Sequence, residues 1–377
     1  MRTVVFIGGL LTAAALLAWQ QQTPMSQAIV AAKPVVAPGC AAATGLARVV
    51  CLADAFKASL TPAQLAQAQR AYSKADAAKW SNFPQQFTRP QRVGIALGSL
   101  TAPQLAAAKA LLASVLAQQV PNEGFDELEG LLALDDTIAQ HTRKSAFGAG
   151  NYYLALLGTP SLTGRWELQY GGHHYAFGNT YQDGHTAGVT PSFRGAEPVT
   201  PVRAAGRTFH PMAQEQAAAA TLLQSLSTAQ QATARLSTTF NDVLLGPGQD
   251  GQFPGTRQGV RVGELSPAQQ QLALQLIQRY VSDLEPATAA PILARYTAEL
   301  PATYLALVKS LVQKLNGRGG WLLPSEGKKC VQIEAQRIFQ RFVGEIEFAV
   351  QVDVLPAHRR AGSDGVGHSL ALGRRGL

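Results

Sequence analysis

Residues 166–181 read WELQYGGHHYAFGNTY. Aromatic and other strand-forming residues occupy Trp166–Tyr170 and again His174–Tyr181, and the turn-prone pair Gly171-Gly172 lies between them. These features predict two neighbouring strands. A further strand is predicted over Glu345–Val354, where apolar residues alternate with polar or small ones, so that one face is buried and the other is wetter.

Four helix starts share one local sequence, in which Leu precedes Ser or Thr and Gln follows three residues after that hydroxyl. The hydroxyl can accept a hydrogen bond from the backbone N–H of the Gln, whose side chain can reach back to the capping residue. The caps are Thr61, Thr101, Ser227 and Ser266, so the first two lie 40 residues apart and the last two lie 39 apart. Two interpretations are open: a duplicated helical unit, or one preferred way of opening a helix.

The order of the predicted elements favours an α+β fold. Helices cluster in two blocks, each followed by strands, so we expect helical blocks packed on a largely antiparallel sheet in a single large domain. The sequence has neither a strict β-α-β alternation nor a glycine-rich phosphate loop after a strand, and a doubly wound sheet is not predicted.

The expected domain boundaries follow from composition. Residues 20–50 are rich in Ala, Gln, Pro and Val and show no helical or strand period, so the part that follows the export segment, residues 29–50, is expected to form a flexible linker. The globular domain is expected over residues 51–356, and residues 357–377 are expected to form a divergent basic tail.

The first 28 residues have the features of an export segment. Met1 and Arg2 precede an uncharged run from Thr3 to Trp19, and small residues suited to cleavage follow at 26–28 and 30–32. Two interpretations are open, a cleaved secretory signal and an uncleaved N-terminal anchor. Both place the body outside the cytoplasm, in the periplasm or secreted, and only the anchor implies contact with a membrane.

Charge does not indicate a nucleic-acid partner. The formal net charge is +8 and the pI is near 9.5, but the basic residues are scattered and are not interleaved with aromatic ones. The one local excess is in the last twenty residues. We therefore expect no nucleic-acid binding.

The chain has three cysteines. Cys40 and Cys51 are close enough in sequence for a small disulfide loop in an oxidising compartment, and two reduced, half-buried thiols are the alternative. Cys330 is left without a partner, and packing accounts for it more simply than a nucleophilic role.

The best candidate site is the segment from Gly171 to His174, with Asp183 and His185 further along. Neutral imidazoles and carboxylates are common ligands of zinc, copper and iron. Consecutive strand residues point to opposite faces, however, so both histidines can share a site only if a bulge at the glycines turns them the same way. The alternative is structural: one histidine satisfies a buried hydrogen bond and the other is exposed.

Few other features indicate chemistry. Glu345, Glu347, Gln351 and Asp353 lie on one face of the predicted strand and matter only if that face is buried. The sequence lacks a His-Glu-x-x-His helix, a Gly-x-Ser-x-Gly elbow and a Cys-x-x-Cys pair, which removes support for several common enzyme classes.

Several motifs together resemble the bacterial family known as domain of unknown function 3500. They are Trp80-Ser81-Asn82-Phe83-Pro84, Trp166 with Gly172-His173-His174, residues 191–198 (PSFRGAEP), Gly246-Pro247-Gly248, and Ile346-Glu347-Phe348 with Gln351. The resemblance covers about residues 60 to 355 and implies that these motifs belong to one domain. Family members follow the last strand with a His-x-His pair, and here His358 is the sole counterpart.

The resemblance and the motifs give a hypothesis for function. The chain is expected to be an exported globular protein, a candidate metal-dependent enzyme that uses a divalent transition metal. The expected metal ligands are His173, His174 and His358, and the expected catalytic carboxylates are Glu197 and Glu347. The alternative is a non-catalytic periplasmic or envelope-associated protein that binds a small molecule or a polymer.

Overall fold

The computed structural model describes residues 25–85, 91–118, 120–240, 247, 257–310, 331–334, 337–338 and 347–351. The α-helices in these ranges are α1 (Met25–Ala31), α2 (Gly45–Ser59), α3 (Pro62–Ala68), α4 (Lys74–Ala77), α5 (Ala102–Ala113), α6 (Gly124–Thr142), α7 (Ala213–Ser225), α8 (Thr228–Ala234), α9 (Pro267–Val281) and α10 (Pro286–Glu299). The strands are β1 (Gln69–Arg70), β2 (Ile95–Ala96), β3 (Tyr153–Leu157), β4 (Arg165–Gly172), β5 (Tyr175–Gln182), β6 (His185–Gly188), β7 (Ser192–Ala196), β8 (Val202–Ala204), β9 (Arg207–Phe209), β10 (Arg235–Phe240), β11 (Val260–Arg261), β12 (Tyr304–Ser310), β13 (Val331–Glu334), β14 (Arg337–Ile338) and β15 (Glu347–Gln351).

All four predicted helix starts are present. Helices α3, α5, α8 and α9 each begin with a capping box, in which the hydroxyl side chain and the Gln side chain satisfy each other's backbone N–H. Such a cap typically stabilises a helix by about 1 kcal/mol. Because capping depends only on neighbouring residues, the sequence was sufficient to predict these ends.

The contacts of these caps occur twice in the chain. Gln64 Nε2 donates to Gln104 Oε1 at 3.1 Å, and Gln230 Nε2 donates to Gln269 Oε1 at 3.2 Å. The neighbouring strands repeat as well: β1 lies parallel and β2 antiparallel to β3, while β10 lies parallel and β11 antiparallel to β12. This is the arrangement expected of a duplicated helical unit.

The described strands form a large mixed sheet, a smaller sheet and the separate antiparallel pair β8-β9. In the larger sheet the order is β1-β3-β4-β5-β7-β13-β14, with β2 beside β3 and β6 beside β5. The smaller sheet has the order β10-β12-β11, with β15 also paired to β12. Among the described strands, each of these sheets has one parallel pairing and the rest are antiparallel. The predicted α+β class with a largely antiparallel sheet is confirmed.

One hydrophobic core joins the larger sheet to the helices of both copies of the duplicated unit, the first with α3 and α5 and the second with α8 and α9. Trp166 and Tyr170 of β4 are at most 1% exposed, and they belong to the same cluster as Leu112 of α5 and Leu276 of α9. Each large side chain buried in this way stabilises the fold by about 1.5–3 kcal/mol. The shared core accounts for a single domain.

The flexible linker expected over residues 29–50 is wrong. Ile29 and Val30 in α1 are 2% and 3% exposed and join the core, and the buried Lys109 donates through Nζ to the Val30 carbonyl at 3.2 Å. Further on, α2 begins at Gly45, and a disulfide joins Cys40 to Cys51. These elements are too short or too weakly amphipathic to give a visible period, so composition alone suggested a linker.

Two predicted segments fall largely beyond this description. Residues 1–24 of the predicted export segment and the basic tail over residues 357–377 lie outside the described residues. Within the part of the chain that the structure describes, no helix combines the length and apolar character needed to cross a bilayer.

Candidate functional site

The two histidines form the turn of the β4–β5 hairpin. Gly172 pairs with Tyr175, so His173 and His174 are the two residues of the connection. The φ angle of His174 is +61°, the left-handed conformation found in two-residue hairpin turns. The turn predicted at Gly171-Gly172 is therefore displaced by two residues.

The glycine before this turn is required by packing. A Cβ on Gly172 would lie 2.5 Å from the ring of Tyr152, which is itself buried and donates through its hydroxyl to the His173 carbonyl. The end of β4 can therefore approach Tyr152 only if residue 172 has no side chain. This contact fixes the position of the histidine turn.

The turn brings both imidazoles together. Their ring centroids lie 4.0 Å apart, with an angle of 35° between the ring planes. The expected difficulty, that neighbouring strand residues point to opposite faces, does not arise because neither histidine is a strand residue. No glycine bulge is needed to bring His173 and His174 together.

Glu197 completes this group from the neighbouring strand. Strand β7 pairs with β5, and the Gly195 N–H donates to the His174 carbonyl at 2.7 Å, so the chain just after β7 lies beside the turn. Glu197 Oε2 is 3.3 Å from His174 Nε2 and 3.8 Å from His173 Nε2. One potential ligand atom from each of the three side chains lies within 4.8 Å of the others.

Asp135 of helix α6 supports the site from behind, and the sequence interpretation did not include it. Its Oδ1 is 2.7 Å from His173 Nδ1, and its Oδ2 accepts from the Gly148 N–H at 2.8 Å. When ionised, Asp135 accepts a hydrogen bond from the Nδ1–H of His173, which leaves the lone pair of that ring on Nε2, 3.8 Å from Glu197 Oε2. Carboxylates orient metal-binding histidines in this way. An acidic pair, Asp135-Asp136, inside an otherwise apolar helical run was the available signal.

The protonation states suit metal binding. Burial, followed by the charge of His174, lowers the pKa of His173 well below its usual value, so that ring is neutral at physiological pH. Burial alone would raise the pKa of Glu197, but the hydrogen bond from His174 and the charges of both histidines together hold that pKa below the usual value. Burial raises the pKa of Asp135 to about 7, although its bond to Gly148 opposes the shift. A neutral imidazole beside a carboxylate is the state that binds metals.

The family-like motifs surround the turn. The Asn82 carbonyl accepts from the His174 N–H at 3.0 Å, and the Trp80 ring lies 6.2 Å from Phe193 at the start of the 191–198 motif. Trp80, Phe193 and Ala176 form a small buried cluster. The first three motifs of the resemblance therefore meet at the histidines.

Among the other candidates whose side chains are described, none joins this group. Asp183 and His185 lie at the far end of β5, where Asp183 Oδ1 accepts from the Gly164 N–H and His185 is exposed. The backbone of Glu347 pairs with Val308 in the smaller sheet. His358, Cys330, Glu345 and Asp353 lie outside the described residues.

The structural alternative for the histidines accounts for only part of the geometry. His173 makes the buried hydrogen bond that this alternative requires. His174 does not point into solvent, since its side chain is 12% exposed and faces Glu197. The structural alternative therefore does not account for the position of His174 beside Glu197.

Comparisons with known proteins identify the family. A model of the family described as "Protein of unknown function (DUF3500)" matches residues 42–315, a range that includes His173, His174, Glu197 and Asp135. No curated protein and no solved structure matches the chain. Because the matched range covers most of the 377 residues, the chain belongs to the DUF3500 family.

Proposed function

We propose that this chain is a metal-dependent enzyme in which His173, His174 and Glu197 bind one divalent transition metal. The observation that carries the proposal is the convergence of two Nε2 atoms and one carboxylate oxygen, with Asp135 behind His173. Nitrogen and oxygen donors of this kind suit zinc or iron(II).

The ligand set favours catalysis over a purely structural role. Structural zinc sites are usually closed by four protein ligands, whereas catalytic sites keep a position for water or substrate. Here the described residues supply three ligands, and the side chains of His174 and Glu197 are 12% and 17% exposed, which leaves a route from solvent. A bound metal would polarise a substrate oxygen or lower the pKa of a bound water.

Each residue of this group has its own role in the proposed site. His173 would present its neutral Nε2 lone pair, because Asp135 holds the proton on Nδ1, and His174 would supply its own Nε2 atom beside it. Glu197, expected from the sequence to move protons, is instead proposed as a metal ligand because it lies between the two Nε2 atoms.

Export is part of the same proposal. The uncharged N-terminal run supports it, and so does the Cys40–Cys51 disulfide, because disulfides persist mainly in oxidising compartments. In the periplasm or outside the cell, the enzyme would meet small-molecule or polymeric substrates.

Metal content tests the proposal. The full chain would be purified without chelator and its metals counted by elemental mass spectrometry, beside a His173→Ala/His174→Ala double variant. His185→Ala is the matched control, since His185 is an exposed histidine of the same sheet. We expect about one transition metal per chain in the wild type and the control, and less than about a tenth of that in the double variant. A folded, metal-free wild type would contradict the proposal.

A non-catalytic ligand-binding protein is the second candidate. A groove of about 700 Å³ lies at the far end of β5, between α2, β6 and α10, and its size is typical of small-molecule pockets. Arg48, Arg295 and Glu285 line it. If the wild type folds without metal, ligand screening should turn to this groove, with Arg48→Ala as the variant expected to weaken binding.

A further inference from the structure

A second group of acidic side chains lies in the core, separate from the histidine turn. Glu127 comes from helix α6, Glu215 from helix α7, and Asp283 follows helix α9. All three residues are fully buried, and one carboxylate oxygen from each lies within 4.8 Å of the others. Arg194 of β7, which is 2% exposed, reaches into the same group.

Arg194 satisfies only part of this negative charge. Its Nε is 3.0 Å from Glu127 Oε2 and 2.7 Å from Asp283 Oδ2, and Asp283 Oδ1 accepts from the Gly124 N–H at 2.6 Å. Glu127 Oε1 and both oxygens of Glu215 have no hydrogen-bond partner among the described residues. Three buried carboxylate oxygens are thus left for another group.

Two buried tyrosine hydroxyls are independent evidence for a ligand at this cluster. The hydroxyls of Tyr175 and Tyr280 are buried and also lack a partner within the described part of the chain. The Arg194 guanidinium lies 5.8 Å from the centre of the Tyr175 ring, which places that ring against the cluster. Burial and then the charge of Glu215 raise the pKa of Tyr280, so this hydroxyl is near the carboxylates too.

The charges in this region do not balance. Three carboxylates and one guanidinium sum to −2 when ionised, and burying such a charge uncompensated is strongly unfavourable. Glu123, a further acid whose charge acts on Asp283, already pairs with Arg279 Nη1 at 2.7 Å. A divalent cation would bring the sum to zero. The donors are all oxygens, and a spacing of up to 4.8 Å is about twice a calcium–oxygen distance.

We propose that Glu127, Glu215 and Asp283 bind a hard divalent cation of the calcium class, as a structural site that joins helices α6 and α7 to the segment after α9. The competing explanation is that two of the carboxylates hold protons instead. Burial, followed by the charge of Asp283, raises the pKa of Glu215 to about 8. Without a cation, this carboxyl is therefore expected to hold a proton at neutral pH.

Refolding experiments separate these two explanations. Because the cluster is fully buried, the full chain would be unfolded and then refolded either with calcium or with the chelator EGTA. Free calcium would be removed by gel filtration, and calcium per chain counted by elemental mass spectrometry. We expect about one calcium per chain and, at about 100 times the dissociation constant, a melting temperature about 5 °C above that of the EGTA sample.

Three variants locate the cation. Glu215→Gln should abolish calcium uptake, because it removes a charged ligand whose oxygens are both without a partner. Glu123→Gln is the matched control, since Glu123 is as buried but already paired, and it should retain calcium. The His173→Ala/His174→Ala variant should also retain it, so failure of the histidine site and failure of this site are distinguishable.

Two results would overturn the proposal, and the first needs only the wild-type protein. Equal melting temperatures in calcium and in EGTA, with no calcium retained, would favour shared protons. So would a Glu215→Gln protein that folds and binds as much calcium as the wild type. If Glu215→Gln does not fold, the calcium count of the wild type decides.

Discussion

The role of Asp135 behind His173 gives the sharpest prediction for the proposed metal site. In Asp135→Asn the amide offers one oxygen to two donors, the Gly148 N–H at 2.8 Å and His173 Nδ1 at 2.7 Å. Leaving the buried Gly148 N–H unpaired would cost about 1–3 kcal/mol, whereas moving a proton between the two nitrogens of an imidazole costs little. We therefore expect the oxygen to face Gly148 and the NH₂ group to donate to Nδ1, which moves the ring proton to Nε2.

The magnitude follows from the loss of this orienting carboxylate. Loss of such a partner typically weakens metal binding by about 10–100-fold, or about 1.4–2.7 kcal/mol. Metal affinity would be measured by competition titration at pH 8, where the Asp135 carboxyl, with a pKa of about 7, is mostly ionised in the wild type. Nitrogen chemical shifts of His173 in the metal-free protein report the tautomer directly.

Asp136→Asn is the matched control for this experiment. Asp136 Oδ1 accepts from the Ala149 N–H at 2.7 Å, and its Oδ2 has no partner among the described residues, so an amide fits without losing a bond. We expect its metal affinity to stay within about twofold of the wild type. Our reasoning would be refuted if Asp135→Asn bound metal as tightly as the wild type and kept the wild-type tautomer.

Three further predictions concern stability and processing. Burial raises the pKa of Asp136 to about 7 from an ordinary 3.8, so the folded state holds a proton that the unfolded chain releases. The contribution of Asp136 to the free energy of unfolding is therefore largest below about pH 4 and is lost as the pH rises through about 7, by up to about 4 kcal/mol. Chemical denaturation at several pH values should show a flatter pH profile for Asp136→Asn than for the wild type. Gly172→Ala should destabilise the fold by about 1–3 kcal/mol and reduce metal uptake, because its Cβ meets the Tyr152 ring, whereas Gly39→Ala, with nothing within 4 Å, should be silent in both assays. If the chain is exported and cleaved, intact-mass analysis should find the mature N-terminus before Ile29, since Ile29 and Val30 are core residues, and a mature chain beginning after residue 30 would contradict this.

Local signals in the sequence were sufficient for the helix starts and for the fold class. A capping box uses only residues three apart, so the helix starts at Thr61 and Ser266 can be predicted from the neighbouring sequence alone. The position of the hairpin turn was beyond such reasoning, because it depends on the contact of Gly172 with Tyr152, twenty residues earlier in the sequence. The turn in that position is what allows both histidines to share a site.

The supporting acids were missed for a similar reason. Asp135 meets His173 across 38 residues of sequence, and no spacing rule connects a helix interior to a hairpin turn. In the same way, Arg194 meets Glu127 from 67 residues away. Such groups become visible only when burial shows that a charged side chain must have a partner.

The internal repeat changes the interpretation of Glu347, which the sequence suggested as catalytic. Strand β1 pairs Gln69 with Leu156, and β10 pairs Arg235 with Leu307; Gln69 and Arg235 each lie eight residues after their helix caps. Strands β3 and β12 are therefore equivalent with Leu156 matched to Leu307.

This equivalence carries over to the next strand pair. Leu157 pairs with Glu167 in the first unit, and the equivalent Val308 pairs with Glu347 in the second. The backbone of Glu347 thus has the register of Glu167, a buried residue of the sheet that accepts from the Thr180 hydroxyl, and not that of the His173-His174 turn. The backbone register therefore gives Glu347 the position of a sheet residue.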